Sequence, residues 1–226
     1  MQSVALLHLL QLASPSLPVG AYSYSQGLEV AIENQSVRDE KSARVWIVAH
    51  LQQVVAQFEA PILWRLLTAF SAHDADAVSY WTEAFIAARD TAEFRAETIQ
   101  MGYSLAKLLT ELNIADAKML AILHAQAEIP FPTALACAAV ALAVPHPAVL
   151  LGALFSWAEN QVLVCMKSVP LGQVSGQRLL LSLTSELERA ANTASHLADD
   201  ELSNWAPGLS ILSMQHEVQY SRLYRS

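Results

Sequence analysis

Charge is what this chain has least of. Only 15% of its 226 residues are Asp, Glu, Lys or Arg, while 54% are hydrophobic; an ordinary domain carries about 25% charged residues. Two architectures tolerate that balance: a membrane protein, or a protein with a large additional apolar interface. A long hydrophobic run is missing too. Thr133 to Val144 is apolar but bracketed by Pro132 and Pro145, well short of the roughly 20 residues that cross a bilayer. Val149 to Met166 carries Glu159, Asn160 and Gln161 at its centre. No membrane span is expected. No basic segment precedes the first apolar run, as a secretory signal requires, so the expected compartment is the cytoplasm.

Basic clusters are absent as well. A formal charge of −8 with no Lys/Arg patch leaves nothing to displace counterions from phosphate, which argues against nucleic acid. The two cysteines, Cys137 and Cys165, sit in apolar surroundings and read as buried thiols. Seven histidines invite a metal, yet none has the i, i+4 or Cys-x-x-Cys spacing that converges ligands on one centre. His8, His50 and His124 fall within helical patterns, and His146 lies between two prolines. There is no nucleophile elbow and no phosphate loop: Gly172-Gln-Val-Ser-Gly176 lacks the lysine and follows no strand. No catalytic residue, metal ligand or cofactor is assigned.

Glycine is scarce, and what remains is helical periodicity. One stripe is Val48, Leu51, Val55 and Phe58, with Ser36 or Asp39 as N-cap. Pro61 reads as the first turn of the next helix. Helices follow over Asp74–Arg89, Thr91–Leu112 and from Asp116 to Ala127. Ala134 to Val144 is apolar all round, which marks a helix buried on every side. Arg178–Leu197 reads as one long helix, Ala198–Gly208 as a loop, and a short helix begins near Ser210. The expected fold is all-α, a single-domain bundle of about ten helices over 1–226.

Three segments depart from this regularity. The N-terminal loop 13–29 packs Pro18, Gly20, Tyr22, Tyr24, Ser25 and Gly27 together, and alternating Pro and Gly specify one loop conformation; Ser25 is placed to cap the following helix. At the corner Lys167-Ser-Val-Pro170-Leu-Gly172-Gln173-Val-Ser-Gly176-Gln177, a turn between two apolar helices presents Lys167 and two glutamines. The C-terminal tail 209–226 concentrates His216, Glu217, Tyr220, Arg222, Tyr224 and Arg225, and Arg and Tyr dominate interface hot spots.

Together these segments resemble the urease accessory protein family UreF. The resemblance rests on Leu12-Ala-Ser-Pro-Ser-Leu-Pro-Val-Gly-Ala-Tyr-Ser-Tyr-Ser-Gln-Gly-Leu-Glu29, on Arg89-Asp-Thr-Ala-Glu-Phe-Arg95 with Gly102, on Ser156-Trp-Ala-Glu159 through Gln177, and on the tail from His216. It implies an all-α homodimer that assembles with UreD (UreH in some systems) and the GTPase UreG to deliver nickel to apo-urease, as a scaffold without catalysis of its own. Where family members often read Glu-Thr-Arg, this chain has Asp90-Thr91-Ala92, so no partner contact is carried over to that position. The residues assigned to partner contact are Pro18, Gly20, Tyr22, Ser25, Gly27 and Glu29 in the loop and Arg95, Gly102 and Glu159 on helices. Lys167, Pro170, Gly172, Gln173 and Gln177 join them at the corner, and His216, Glu217, Tyr220, Arg222, Tyr224 and Arg225 in the tail.

Two other readings stand beside it. In a small helical enzyme acting on an apolar substrate, Arg89, Glu93, Glu97 and Glu159 are the polar groups. Glu93 and Glu97 lie four apart on one face, where a solvated strip with Arg89 and Arg95 is the plain alternative. In a nickel-binding metallochaperone, His216 or the cysteines hold the ion.

Overall fold

A computed structural model describes residues 3–226. Helices begin where the sequence offers an acceptor for the unpaired amides of a first turn. Asp39 accepts the Ser42 amide and opens α3 (Glu40–His50), and the Ser42 hydroxyl returns to the Asp39 amide as a capping box. Ser36, the other candidate cap, stands outside that helix. Asp74, Thr91 and Asp116 accept the corresponding amides of α5 (Ala75–Ala87), α6 (Ala92–Glu111) and α7 (Ala117–His124). The helices α8 (Phe131–Ala141) and α9 (His146–Ser168) instead carry proline in their first turn, where no amide partner is needed.

Pro61 does stand in the first turn of a helix, α4 (Ala60–Ala72), but no loop separates that helix from the one before it. From α3 the chain continues through a π-helical stretch, Leu51–Glu59, into α4. The Ala60 amide reaches back five residues to the Val55 carbonyl, the wider turn of a π-helix. Proline has no amide to return to the Gln57 carbonyl. The Ser203 amide takes that acceptor at 3.1 Å, so a distant loop replaces the missing rung.

The reading of 178–197 as one helix also needs correction. Gln173–Ser182 forms α10 and Thr184–His196 forms α11, with a break at Leu183. The Ser182 and Thr184 hydroxyls bond the Leu179 and Leu181 carbonyls at 2.7 and 2.9 Å, competing with the amides that would continue the helix. Because α10 begins at Gln173, Gly176 and Gln177 belong to a helix and not to the corner. The remaining elements are α1 (Ser3–Leu12), α2 (Leu28–Glu33) and α12 (Pro207–Glu217), the last starting three residues before the expected point. Twelve α-helical segments and no strand occur among the described residues: the fold is all-α.

One contiguous apolar core runs from Val19 to Tyr224. At its centre lies α8, buried at every position from 132 to 139 and packed between α4 and α6, as its all-round apolar sequence requires. Helix α9 is longer than read from the sequence. By length and composition alone it would span a bilayer, yet half of its apolar window is buried and seven other helices pack on it. Asn160 and Gln161 lie inside that contact. It is a core helix.

Candidate protein interface

The four segments singled out in the sequence meet in one place. The loop between α1 and α2 descends onto α9: Tyr22 donates to Glu159 at 2.6 Å, Asn160 donates to the Tyr24 carbonyl at 2.8 Å, and the Trp157 indole donates to Gln26 at 2.8 Å. Gly20 and Gly27 hold the loop's two bends at φ 80°, where a side chain would be strained. The Gln26 side-chain amide donates in turn to Glu97 on α6 at 2.7 Å. The tail closes the circle from the other side. The Arg225 amide donates to the Ser23 carbonyl at 2.8 Å, and the Ser25 and Gln26 amides both donate to the Ser226 carbonyl.

At the centre of this junction sits His216, with no exposed surface. Its Nδ1 lies 2.9 Å from Glu93 of α6 and its Nε2 lies 3.0 Å from Glu29 of α2. Glu29 also accepts the amides of Leu223 and Tyr224 at 2.7 and 3.1 Å, and Arg222 reaches Glu93 at 3.1 Å. Arg222 is the guanidinium that reaches this pair of carboxylates. They lie on opposite edges of the ring, so they do not converge with it on a single point. Among the described residues no three His, Cys, Asp or Glu side chains are grouped to hold a metal ion. Cys137 and Cys165 are free and buried, and burial pushes both thiols up to about 12.

Several assigned residues therefore turn inward. Ser25, Gly27, Glu29, Gly102, His216 and Tyr224 are buried, where no partner side chain can touch them in this conformation. Ser25 does not cap α2: Gly27 precedes that helix, and the Ser25 hydroxyl has no hydrogen-bond partner. Gly102 is required by its own chain, because a Cβ there would strike the Ile129 carbonyl and the Pro130 backbone. Tyr224 packs under the Lys167 ammonium, 5.5 Å from its ring centre, and burial raises its phenol to about 12. Tyr22 is half-buried, and burial first and Glu159 second hold its phenol protonated. Arg95 makes a two-pronged ion pair with Glu128.

Exposed among the assigned residues are Pro18, Gly20, Lys167, Pro170, Gly172, Gln173, Gln177, Glu217, Tyr220, Arg222 and Arg225. Sequence reading missed a second exposed set. On α12 and its C-cap residue, Ile211, Met214 and Val218 share one face at i, i+3, i+7, and Val218 and Leu223, 83% and 71% exposed, flank the already assigned Tyr220 at 104%. That spacing was legible; that the face would be outward was not.

The strip at Glu93 and Glu97 is not a solvated face. Glu97 is buried, with Gln26 on one oxygen and the Ser226 hydroxyl on the other, and burial pushes its carboxyl up to about 8. Arg89 pairs with Glu59 at 2.5 Å beneath the Phe58 and Phe85 rings. These groups form one polar end of a largely apolar cavity of about 170 Å³ lined from α1, α4, α6, α8 and α9.

The sequence model of the UreF family matches residues 37–184. A curated relative in Janthinobacterium sp., named urease accessory protein UreF, is 74% identical over 226 residues, covering all of both chains. Relatives of the same name in Nitrosospira multiformis and Dechloromonas aromatica are 67% and 47% identical over 222 residues, with 97% or more of each chain covered.

Proposed function

The chain belongs to the UreF family of urease accessory proteins, and from that premise we propose that it is a non-catalytic scaffold that assembles with UreD/UreH and the GTPase UreG to deliver nickel to apo-urease. A cytoplasmic homodimer is the proposed form. One observation carries the docking role: the C-terminal segment displays apolar side chains on a backbone that is already fixed. Val218, Tyr220 and Leu223 face outward while the amides of Leu223 and Tyr224 are tied to Glu29. An ordered apolar display loses little conformational entropy on association. Arg222 and Arg225 at its rim suit a partner with carboxylates around an apolar groove.

The test is co-expression of the chain with UreD/UreH and UreG, followed by affinity capture. Tyr220→Ala with Leu223→Asp is expected to lose the partners while melting like the parent, because both side chains are exposed. Full capture by that double variant would remove the tail from the interface.

The cavity is the observation that favours the enzyme reading. Of its two carboxyls, Glu97 has both oxygens engaged by Gln26 and Ser226, and Glu59 is paired with Arg89, so neither stands as an unpaired base for substrate. Turnover of a small apolar substrate by the isolated chain would reverse this preference.

A further inference from the structure

The position of His216 bears on how the docking segment is held. Each of its ring nitrogens faces a carboxylate, at 2.9 Å to Glu93 and 3.0 Å to Glu29. A carboxylate only accepts, and a neutral imidazole has a single N–H. Only the doubly protonated ring can donate to both. Neutral His216 leaves one nitrogen lone pair against a buried carboxylate oxygen, with two anions balanced by Arg222 alone. The same Glu29 oxygens hold the amides of Leu223 and Tyr224, so the proton on His216 and the anchorage of the tail share one carboxylate.

We propose that the His216 imidazolium, clamped between Glu29 and Glu93, is a proton-operated latch that fixes the C-terminal segment against α2 and α6 and frees it when the proton is lost. The proposal rests on the reading of that segment as the docking surface and adds its regulation. Acid favours the latched arrangement and base the released one, because only the latched arrangement uses the second N–H.

The charged and titratable groups around the latch are few. Helix α2 contributes Glu29. Helix α6 contributes Glu93 and, toward Ser226, Glu97. Helix α12 carries Glu217 beside His216 and meets Asp90 at Ser210, the tail contributes Arg222, Tyr224 and Arg225, and α9 contributes Lys167 over the Tyr224 ring. Of these, Glu97 is the rival source of pH dependence, since its carboxyl, raised to about 8 by burial, also meets the tail through Ser226.

A single substitution separates them. In Glu93→Gln the new amide can donate to Nδ1 while the neutral ring donates from Nε2 to Glu29, so the bridge closes without the extra proton and Glu97 is untouched. The measurement is hydrogen exchange at the Leu223 and Tyr224 amides of the full chain without partners, corrected for intrinsic exchange, from about pH 5.5 to 9.5. In the parent, protection is expected to fall about tenfold or more as pH rises, and in Glu93→Gln to stay flat. Flat protection in the parent overturns the latch. An equal fall in Glu93→Gln overturns it too and assigns the effect to Glu97. Because no partner is present, this result stands apart from the capture experiment: a tail that unlatches but binds nothing sinks the docking role, and a tail that binds but never unlatches sinks the latch.

Discussion

Glu97 offers the most direct check on the reasoning, because its environment converts into a number. Burial raises its carboxyl from 4.5 to about 8, so at neutral pH the folded chain holds a proton that the unfolded chain has released. The sign follows from linkage: the protonated form stabilises the fold fully below about pH 4.5, and that contribution is lost as pH rises toward 8. At pH 7 the gap from 4.5 is about 2.5 units, and at 1.36 kcal/mol per unit the cost is about 3 kcal/mol. Glu97→Gln removes the titration and keeps the shape. Its amide oxygen can accept from Gln26 as the carboxyl does at 2.7 Å, and its NH2 can donate to the Ser226 hydroxyl, now 3.2 Å from the carboxyl.

The variant is therefore expected to match the parent near pH 4.5 and to exceed it by about 3 kcal/mol at pH 7. Urea denaturation followed by far-ultraviolet circular dichroism at the two pH values reads the difference. A stability change of the same size at both, or a loss at pH 7, would show that Glu97 is ionised in the fold and that the burial argument fails.

His50 should run the other way. Burial lowers its imidazole from 6.5 to about 4, so it stabilises the fold above 6.5 and that contribution drains away as pH falls toward 4. His50→Phe, which keeps the edge-on contact with Trp157, should gain about 2 kcal/mol on the parent between pH 8 and pH 5; no pH dependence in the same denaturation assay would refute it. Gly102→Ala drives a methyl into the Ile129 carbonyl and should cost about 3 kcal/mol, whereas Gly172→Ala, with no atom within 4 Å, should stay within about 1 kcal/mol. Equal midpoints for the two variants would remove the close approach of α6 to the 129–130 turn. His216→Ala leaves Glu29 and Glu93 without the imidazolium between them and should cost about 3 kcal/mol or more, read from the thermal midpoint at acid pH; an unchanged midpoint would mean the pair is solvated.

How much of this was legible follows from range along the chain. Caps at Asp39, Thr91 and Asp116, and the buried character of α8, are local patterns that one helix turn decides. The break at Leu183 was local too, but it depends on Ser182 and Thr184 bonding backward, which residue type permits without requiring. The continuity through Pro61 could not be read, since its cost is relieved by Ser203, far away in sequence. The site divides in the same way. Its residues were found because unusual composition marks them, yet their roles were all assigned outward when six of the twenty are buried. Nothing local tells that Glu29 will meet His216.

That inward turn changes what a deletion can mean. From the sequence, removing Met214 to Ser226 looks like trimming a loose docking arm, with helicity nearly unchanged and partner binding lost. In the fold the same cut removes the His216 ring from two buried carboxylates, the Ser226 hydroxyl from Glu97, and the Tyr224 ring from the core. Each carboxylate left without a donor carries a desolvation cost of at least about 1 kcal/mol. Loss of binding after truncation would then report a damaged body as readily as a missing contact. Only side chains that are exposed in this structure, Val218, Tyr220 and Leu223, can separate docking from anchorage, and on that separation the assignment of the tail to a partner depends.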